Sequence, residues 1–325
     1  MDRRDALMAL AAGALPIATL AQRAEPIRRI AVLMSAGEAA SRQYVDGLLE
    51  GLQEKGWAVG RNLQIEYRWP GGDPARARSY ASELAAGSPE LILSSGTVSL
   101  SALRDVHVKL PIVFVNITDP VAGGFVSSLS HPGANVTGFT PFQYDIGGKW
   151  LQLLRDAVPS MAHATLLGDP ANHNFAGFVR AFTAAAKAMN IVPVAAPISA
   201  YADIERAIEA EGKTPHGGLV VSAATFVGVY REQLVALAAR HRVPAIYWTV
   251  DPVRVGGLMS YGPDFRLLHR ASAAYVDRIL KGAKPSDLPV QSPDEIDLTI
   301  NLKTASALGI SIPRAVLLQA REVIR

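Results

Sequence analysis

Short polar segments that follow apolar runs hold the chemistry this chain has to offer. Ser35-Ala36-Gly37 comes first, Ser94-Ser95-Gly96-Thr97 clusters hydroxyls around a glycine, and Asn116-Ile117-Thr118-Asp119 follows the apolar stretch ending at Val115. Asp169-Pro170-Ala171-Asn172, Ser222-Ala223-Ala224-Thr225 and Tyr247-Trp248-Thr249 with Asp251 occupy equivalent places further on, and Thr140 stands between the two groups. In an open α/β sheet a ligand crevice lies beyond the carboxyl ends of the strands, where helix N-termini present free N–H groups. Hydroxyls and N–H donors there suit a carboxylate, because the helix dipole and the donors act together. The expected contacts on one side are therefore Ser35, Ser95, Gly96, Thr97, Asn116, Thr118, Asp119 and Thr140, with Ser95, Thr97, Asn116 and Thr118 on a carboxylate. On the other side they are Asp169, Asn172, Ser222, Thr225, Tyr247 and Asp251, with the aspartates suited to an ammonium. The same residue types are also helix N-caps, so each position has a second, purely structural reading. Tyr247, Trp248, Phe142 and Tyr144 read either as core aromatics or as a wall on which an aromatic or apolar group stacks.

Motifs for bond-making chemistry are missing. Gly147-Gly148-Lys149 is followed by Trp150 and does not follow a strand, so it is no phosphate loop. Neither G-x-G-x-x-G nor G-x-S-x-G occurs, and the seven histidines, at 107, 131, 163, 173, 216, 241 and 269, include no H-E-x-x-H. The absence of cysteine removes disulfides, thiol nucleophiles, thiolate metal sites and a lipoprotein anchor together. The expectation is a protein with no catalytic residues, no metal and no cofactor, although a catalytic trio assembled in space is not visible in a sequence.

The elements that must position these segments alternate between strand and helix. Apolar or alternating runs at 29–34, 63–67, 90–93, 111–115 and 136–139 read as strands, with helices over 41–55, from Asp73-Pro74, over 97–108 and from Asp119-Pro120 to about 129. A second series follows, with strands at 164–168, 191–194, 218–222 and 244–248 and helices over 146–157, 175–189, 202–211 and 226–241. Then come a glycine-flanked strand at 257–262, a long helix over 264–281, a crossing marked by Pro285, Pro289 and Pro293, and an alternating strand at 296–300 followed by helical turns. This is an α/β chain of two doubly wound parallel-sheet lobes joined by three crossings, near 139–142, 256–258 and 289–294. Residues 28–139 with 258–289 form the expected first lobe, and 140–257 with 290–325 the second. A chain of 325 residues is long enough for two cores of about 150 residues each. Three crossings would act as a hinge.

The N-terminus reads as an export signal: Arg3 and Arg4 precede an uncharged run, and Thr19 and Ala21 are the small residues of a cleavage site after Ala21. The net charge of +3 is spread thinly, and no basic run interleaved with aromatics argues for nucleic acid.

A set of ordered fragments then gives a resemblance. Gly51-Leu-Gln-Glu-Lys-Gly56, Gly60-Arg-Asn62, Ile65-Glu-Tyr-Arg68, Asp119-Pro-Val121, Pro132-Gly133, Asn135-Val-Thr-Gly138, Gly256-Gly-Leu-Met-Ser-Tyr-Gly262, Tyr275-Val-Asp-Arg-Ile-Leu-Lys-Gly282 and Ile300-Asn-Leu-Lys303 resemble the ABC-transporter substrate-binding family that includes tryptophan and aromatic-amino-acid binding proteins. The resemblance implies the type I periplasmic-binding fold, a clamshell. It further implies a monomeric, exported receptor that hands a small-molecule ligand to an ABC permease in the inner membrane. A sensor presenting its closed form to a membrane receptor or kinase is the alternative. Ala122-Gly-Gly-Phe125 stands where Gly-Thr-Gly-Leu is usual, and Ser292-Pro-Asp-Glu-Ile296 replaces a Pro-Thr-Lys-Phe run.

Overall fold

A computed structural model describes residues 26–325 apart from 173, 225–228 and 294, so the expected export signal and Thr225 lie outside the described residues. The chain begins β1 (Arg28–Met34), α1 (Glu38–Glu54), β2 (Leu63–Arg68), α2 (Pro74–Ala86), β3 (Leu91–Ser95), α3 (Thr97–Asp105), β4 (Ile112–Val115) and β5 (Val136–Phe139). These strands form a parallel sheet in the order β2-β1-β3-β4-β5. Next come α4 (Ile146–Ala157), β6 (His163–Gly168), α5 (Asn174–Ala188), β7 (Val192–Pro197), α6 (Tyr201–Gly212), β8 (Leu219–Val221), α7 (Arg231–Arg240), β9 (Ala245–Tyr247), α8 (Asp251–Arg254) and β10 (Met259–Gly262). The chain ends with α9 (Phe265–Leu280), β11 (Asp297–Asn301), α10 (Leu302–Leu308), α11 (Arg314–Leu317) and β12 (Glu322–Ile324).

The second sheet runs β12-β11-β10-β9-β8-β6-β7, parallel except between β10 and β11. Its β7-β6-β8-β9-β10 portion repeats the strand order of the first sheet. Each lobe therefore has one switch point where the winding reverses, between β1 and β3 and between β6 and β8.

Two expectations change. The strand at 257–262 belongs to the second sheet, with Met259 beside Ile246 on one side and Ile300 on the other, so the crossing falls after Gly262 and not near 256–258. Its glycines serve packing: a Cβ on Gly257 would meet the Tyr247 ring at 2.7 Å and one on Gly262 the Trp248 carbonyl oxygen at 1.9 Å. The helix expected from Asp119 is a series of turns instead, opened by left-handed backbone at Asn116 (φ 61°) and Asp119 (φ 43°). The β12 strand was not expected, because three residues give too short an alternation to read.

α9 leaves the second sheet and packs along α1 of the first lobe. The two helices approach closely because α1 offers Gly47 and Gly51, four apart on one face. A Cβ on Gly47 would lie 2.5 Å from the Arg266 carbonyl oxygen, and one on Gly51 2.2 Å from that of Arg270. Ion pairs Arg266–Glu50 and Arg270–Glu54 flank the contact, half-exposed and so of modest worth.

The crossing segments brace one another. Gln291 N–H donates to the Gly138 carbonyl at 2.9 Å, Thr140 N–H to the Gln291 carbonyl at 2.9 Å, and Val290 N–H to the Leu129 carbonyl at 2.7 Å. Tyr275 of α9 adds its ring against Phe139, centroids 4.9 Å apart, and its hydroxyl to the Pro289 carbonyl. In the second lobe Phe142, Trp150 and Phe178 pack edge-on or tilted, and the buried Trp150 indole N–H donates to the Tyr261 carbonyl at 2.7 Å. Phe142 is thus a core residue. The carboxylate of buried Glu211 on α6 accepts from the Gly218 N–H at 2.8 Å and from the Thr165 hydroxyl, tying α6 beneath β6 and β8.

At the outer edge of β7, Val192 and Ile198 direct their N–H groups to the neighbouring chain segment, so the odd-numbered positions face outward. Pro193 and Pro197 occupy two of them and carry no N–H.

Gly51→Ala tests the α1–α9 contact. The small helix-propensity gain of alanine is outweighed by the clash with backbone, for a net loss of about 1–3 kcal/mol. Differential scanning fluorimetry then records a melting temperature lower by several degrees, whereas Glu50→Ala changes stability by less than about 1 kcal/mol. An unchanged or raised melting temperature in Gly51→Ala would show that the helices are not in close contact.

Candidate functional site

The two switch points face each other across the interlobe cleft. On the first-lobe side Gly96 joins β3 to α3 with φ 85°, and a Cβ there would lie 2.7 Å from Ser35 Oγ, so both backbone and space require glycine. Ser35 is turned inward: its Oγ accepts from the Ser99 N–H at 3.0 Å and donates to Ser99 Oγ at 3.1 Å. It clips β1 to α3. The first-turn N–H groups of Thr97 and Val98 have no acceptor among the described residues.

Ser95 makes the most informative contact. Its Oγ lies 2.9 Å from Nε2 of His269, which reaches in from α9. The other ring nitrogen, Nδ1, is 2.6 Å from the Phe265 carbonyl oxygen. A carbonyl only accepts, so Nδ1 carries the proton, Nε2 is bare, and the Ser95 hydroxyl donates to it. His269 is 1% exposed, and burial holds its pKa down to about 4. The Tyr44 ring of α1 stacks on the imidazole, centroids 5.1 Å apart. Serine beside histidine invites comparison with a nucleophile and its base. Here the imidazolium that proton transfer would form is disfavoured by burial, and a neutral carbonyl stands where a carboxylate would stabilise it. The pair is built to hold a hydrogen bond.

Side-chain contacts span the cleft. The Tyr144 hydroxyl donates to Asn174 Oδ1 at 2.9 Å, and Asn174 Nδ2 donates to Thr97 Oγ1 at 3.4 Å, linking α5 of the second lobe to α3 of the first. Gln43 Nε2 and the Tyr44 hydroxyl of α1 each lie 3.4 Å from Asp251 Oδ2 at the start of α8. Arg231 approaches the same carboxylate at 3.7 Å from within the second lobe. Trp248 and Phe265 meet edge-on across the lobes, centroids 4.8 Å apart. Burial raises the pKa values of both Tyr44 and Tyr144, with Asp251 and Asp119 respectively adding to the shift, so both phenols keep their protons. The indole N–H of Trp248 and Nε of Arg231 are buried without a partner among the described residues.

The remaining sequence candidates divide. Asp169 Oδ1 accepts from the Ala171 N–H at 2.9 Å and Asn172 Oδ1 from the Asn174 N–H at 3.0 Å, both turn caps. Asp119 Oδ1 caps the Ala122 N–H at 3.1 Å. Ser222 Oγ donates to the Leu167 carbonyl at 2.8 Å within the sheet. Thr140, with its hydroxyl on the Phe142 carbonyl at 3.2 Å, is a hinge residue, and Thr118 is buried beside the half-buried Asn116. Tyr247 is 1% exposed and belongs to the second-lobe core, not to the cleft. Gln43, Tyr44, Asn174, Arg231, Phe265 and His269 were not foreseen. Asn174 sits two residues past a segment that was chosen, whereas His269 is 174 residues from Ser95 and has no local signal. A recess of about 430 Å3 beside the hinge is lined by Pro141, Phe142, Tyr261, Ser292 and Pro293, and none of the switch-point residues lines it.

Comparison with known proteins agrees with this architecture. The model of the family described as ABC transporter substrate binding protein matches residues 29–324. The chain belongs to that family. A tyrosine-binding protein of Clostridioides difficile is 28% identical over 270 residues, 81% of this chain and 76% of the relative. Among solved structures, a conserved domain protein from Vibrio cholerae superposes with a TM-score of 0.85 at 28% identity, covering 91% of this chain and 99% of that one. The ABC domain from Streptococcus pneumonia in complex with L-Trp gives 0.84 at 25% identity, covering 91% and 99%. Substrate-binding proteins of this family share two parallel-sheet α/β lobes, as here. Among the described residues no helix is long and apolar enough to cross a membrane.

The neutral, buried His269 sets a pH dependence. An exposed histidine takes a proton near 6.5, while folded His269 resists down to about 4. Between those values the unfolded chain binds the extra proton, so stability falls as pH falls from about 6.5 towards 4, and above 6.5 this residue adds no slope. Melting temperatures recorded from pH 4 to pH 8 should show His269→Leu flattening that acid limb, and a limb identical to the parent's would contradict a buried neutral imidazole.

Proposed function

We propose that this chain is the exported, monomeric solute receptor of an ABC importer, capturing an aromatic amino acid between its lobes and delivering it to a permease in the inner membrane. The observation that carries the reading is the cleft itself: a free helix start and hydroxyls on one lobe, with Tyr44, Phe265 and Trp248 close by. The named relatives, one tyrosine-binding and one holding L-Trp, support the ligand class. Thr97, with its own N–H and that of Val98, takes the carboxylate, where the α3 dipole adds its share. The aromatic side chain packs among Tyr44, Phe265 and Trp248, which supply apolar area and edge-on contacts.

In this reading residues 26–139 with 264–291 move as one body against the rest, turning on the crossing segments. Ligand binding shifts the population towards the closed arrangement, and Asp251 with Gln43 and Tyr44 adds a direct tie between the lobes. The ligand leaves unaltered, since closure needs no covalent step.

A thermal-shift screen of the amino acids tests this. A ligand at a hundred times its dissociation constant adds about 2.7 kcal/mol of stability. L-Tryptophan, L-tyrosine or L-phenylalanine should raise the melting temperature while aspartate and lysine do not, and solution scattering should show compaction with the same compound. Thr97→Ala should weaken that binding roughly tenfold by calorimetry. Absence of any amino-acid response, or chemical conversion of the bound compound seen by mass spectrometry, would overturn the proposal.

A further inference from the structure

A serine hydroxyl at the end of a strand ordinarily offers a ligand either its proton or its lone pairs, and rotates to suit. Ser95 does not have that freedom. Its Oγ is 2.9 Å from His269 Nε2, and the proton on Nδ1 is claimed by the Phe265 carbonyl at 2.6 Å. The imidazole cannot turn over to offer a second N–H without leaving that carbonyl, and Tyr44 stacked on its face at 5.1 Å fixes the ring plane. The histidine is fully enclosed and stays neutral near pH 7. The Ser95 proton is therefore committed, and what remains on Oγ is lone pairs.

Two residues along, Thr97 has the opposite polarity. Tyr144 donates to Asn174, Asn174 donates to Thr97 Oγ1, and the Thr97 proton is left over. Gly96 between them adds no side chain, its Cβ direction being filled by Ser35, so an acceptor and a donor stand two residues apart along the bare backbone of the β3–α3 turn. An α-amino acid presents the complement, an ammonium donor beside a carboxylate acceptor.

We propose that His269 is a specificity-determining positioning residue: it locks the Ser95 hydroxyl as a hydrogen-bond acceptor towards the cleft, and so selects ligands that carry an ammonium there over 2-oxo acids of the same shape, which carry an acceptor. This deepens the proposed function and rests on it. It moves the ammonium from the second-lobe aspartates to the first lobe. Asp169 is occupied as a turn cap and Asp251 by Arg231, Gln43 and Tyr44. A ligand that places an acceptor at Ser95 must either face lone pairs or turn the hydroxyl away, leaving buried Nε2 unpaired. Such a loss corresponds to about tenfold to a hundredfold in affinity.

The test has a ligand arm and a ligand-free arm. Isothermal titration compares L-tryptophan with indole-3-pyruvate, which carries a carbonyl acceptor in place of the ammonium. The parent protein should favour the amino acid by about a hundredfold or more. In His269→Leu the released Ser95 proton serves an acceptor as well as a donor, and the preference should shrink by about tenfold, with Ser95→Ala shrinking it similarly. A preference unchanged in both variants, or both ligands weakened equally, would mean a structural role only. In the second arm, nitrogen NMR of histidine-labelled parent protein should show Nδ1 protonated and Nε2 bare, with the bare nitrogen shifting in Ser95→Ala. A protonated Nε2 overturns the proposal even if the variants do not fold. Failure of the parent to bind either compound while Nε2 is bare would instead overturn the proposed function, and the selection with it.

Discussion

The close contact between α9 and α1 is the constraint on which the rest of the molecule depends. α9 is encoded after the second lobe is nearly complete, yet it lies along the first. Two glycines on one face of α1 let the helix backbones approach to a distance that any side chain would prevent. That contact obliges the chain to cross between the lobes a second time, and then a third time to finish in the second sheet. It also puts His269 beneath Ser95, Phe265 against Trp248 and Tyr275 against the paired crossing segments. Fold, hinge and cleft are thus consequences of one helix–helix interface.

The repeated strand order explains why the cleft is where it is. Each lobe winds in one direction, reverses between its first and third strands, and leaves a gap at the reversal that no crossover helix covers. Small residues at these gaps, Gly96 foremost, keep backbone accessible. The groups around the first gap are arranged as chains of donors and acceptors, not as independent hydroxyls. Polarity imposed at Tyr144 or at the Phe265 carbonyl is felt at Thr97 or Ser95, and low local dielectric strengthens each link.

Much of this was legible in the sequence, and the part that was not has physical reasons. Strand and helix alternation is written in local periodicity, so both sheets and nearly all helices could be read from it. The polar segments after the strands were found for the same reason, and Ser95, Gly96 and Thr97 do lie at a switch point. Local pattern could not separate hydroxyls that tie the scaffold together, such as Ser35 and Ser222, from those left facing the cleft, because the difference lies in a partner distant in sequence. It also set a crossing near 256–258, where the chain stays in the second sheet and Gly257 permits close packing within it. Asp251 looked like a free carboxylate because Arg231, Gln43 and Tyr44 meet it only in three dimensions.

One feature at the periphery bears on how such a molecule survives its own motion. The proposed opening and closing would loosen the lobes repeatedly, and a sheet edge is the place where a loosened chain recruits another copy of itself. The β7 edge is short of donors, since Pro193 and Pro197 take two of its three outward positions and leave the Ala195 amide between them. A foreign strand arriving there finds carbonyl acceptors but a single amide donor along the strand. Fibril-like growth is thereby blunted on that flank without cost to the cleft, because the two prolines stand on the rim farthest from β12, one strand beyond the switch point.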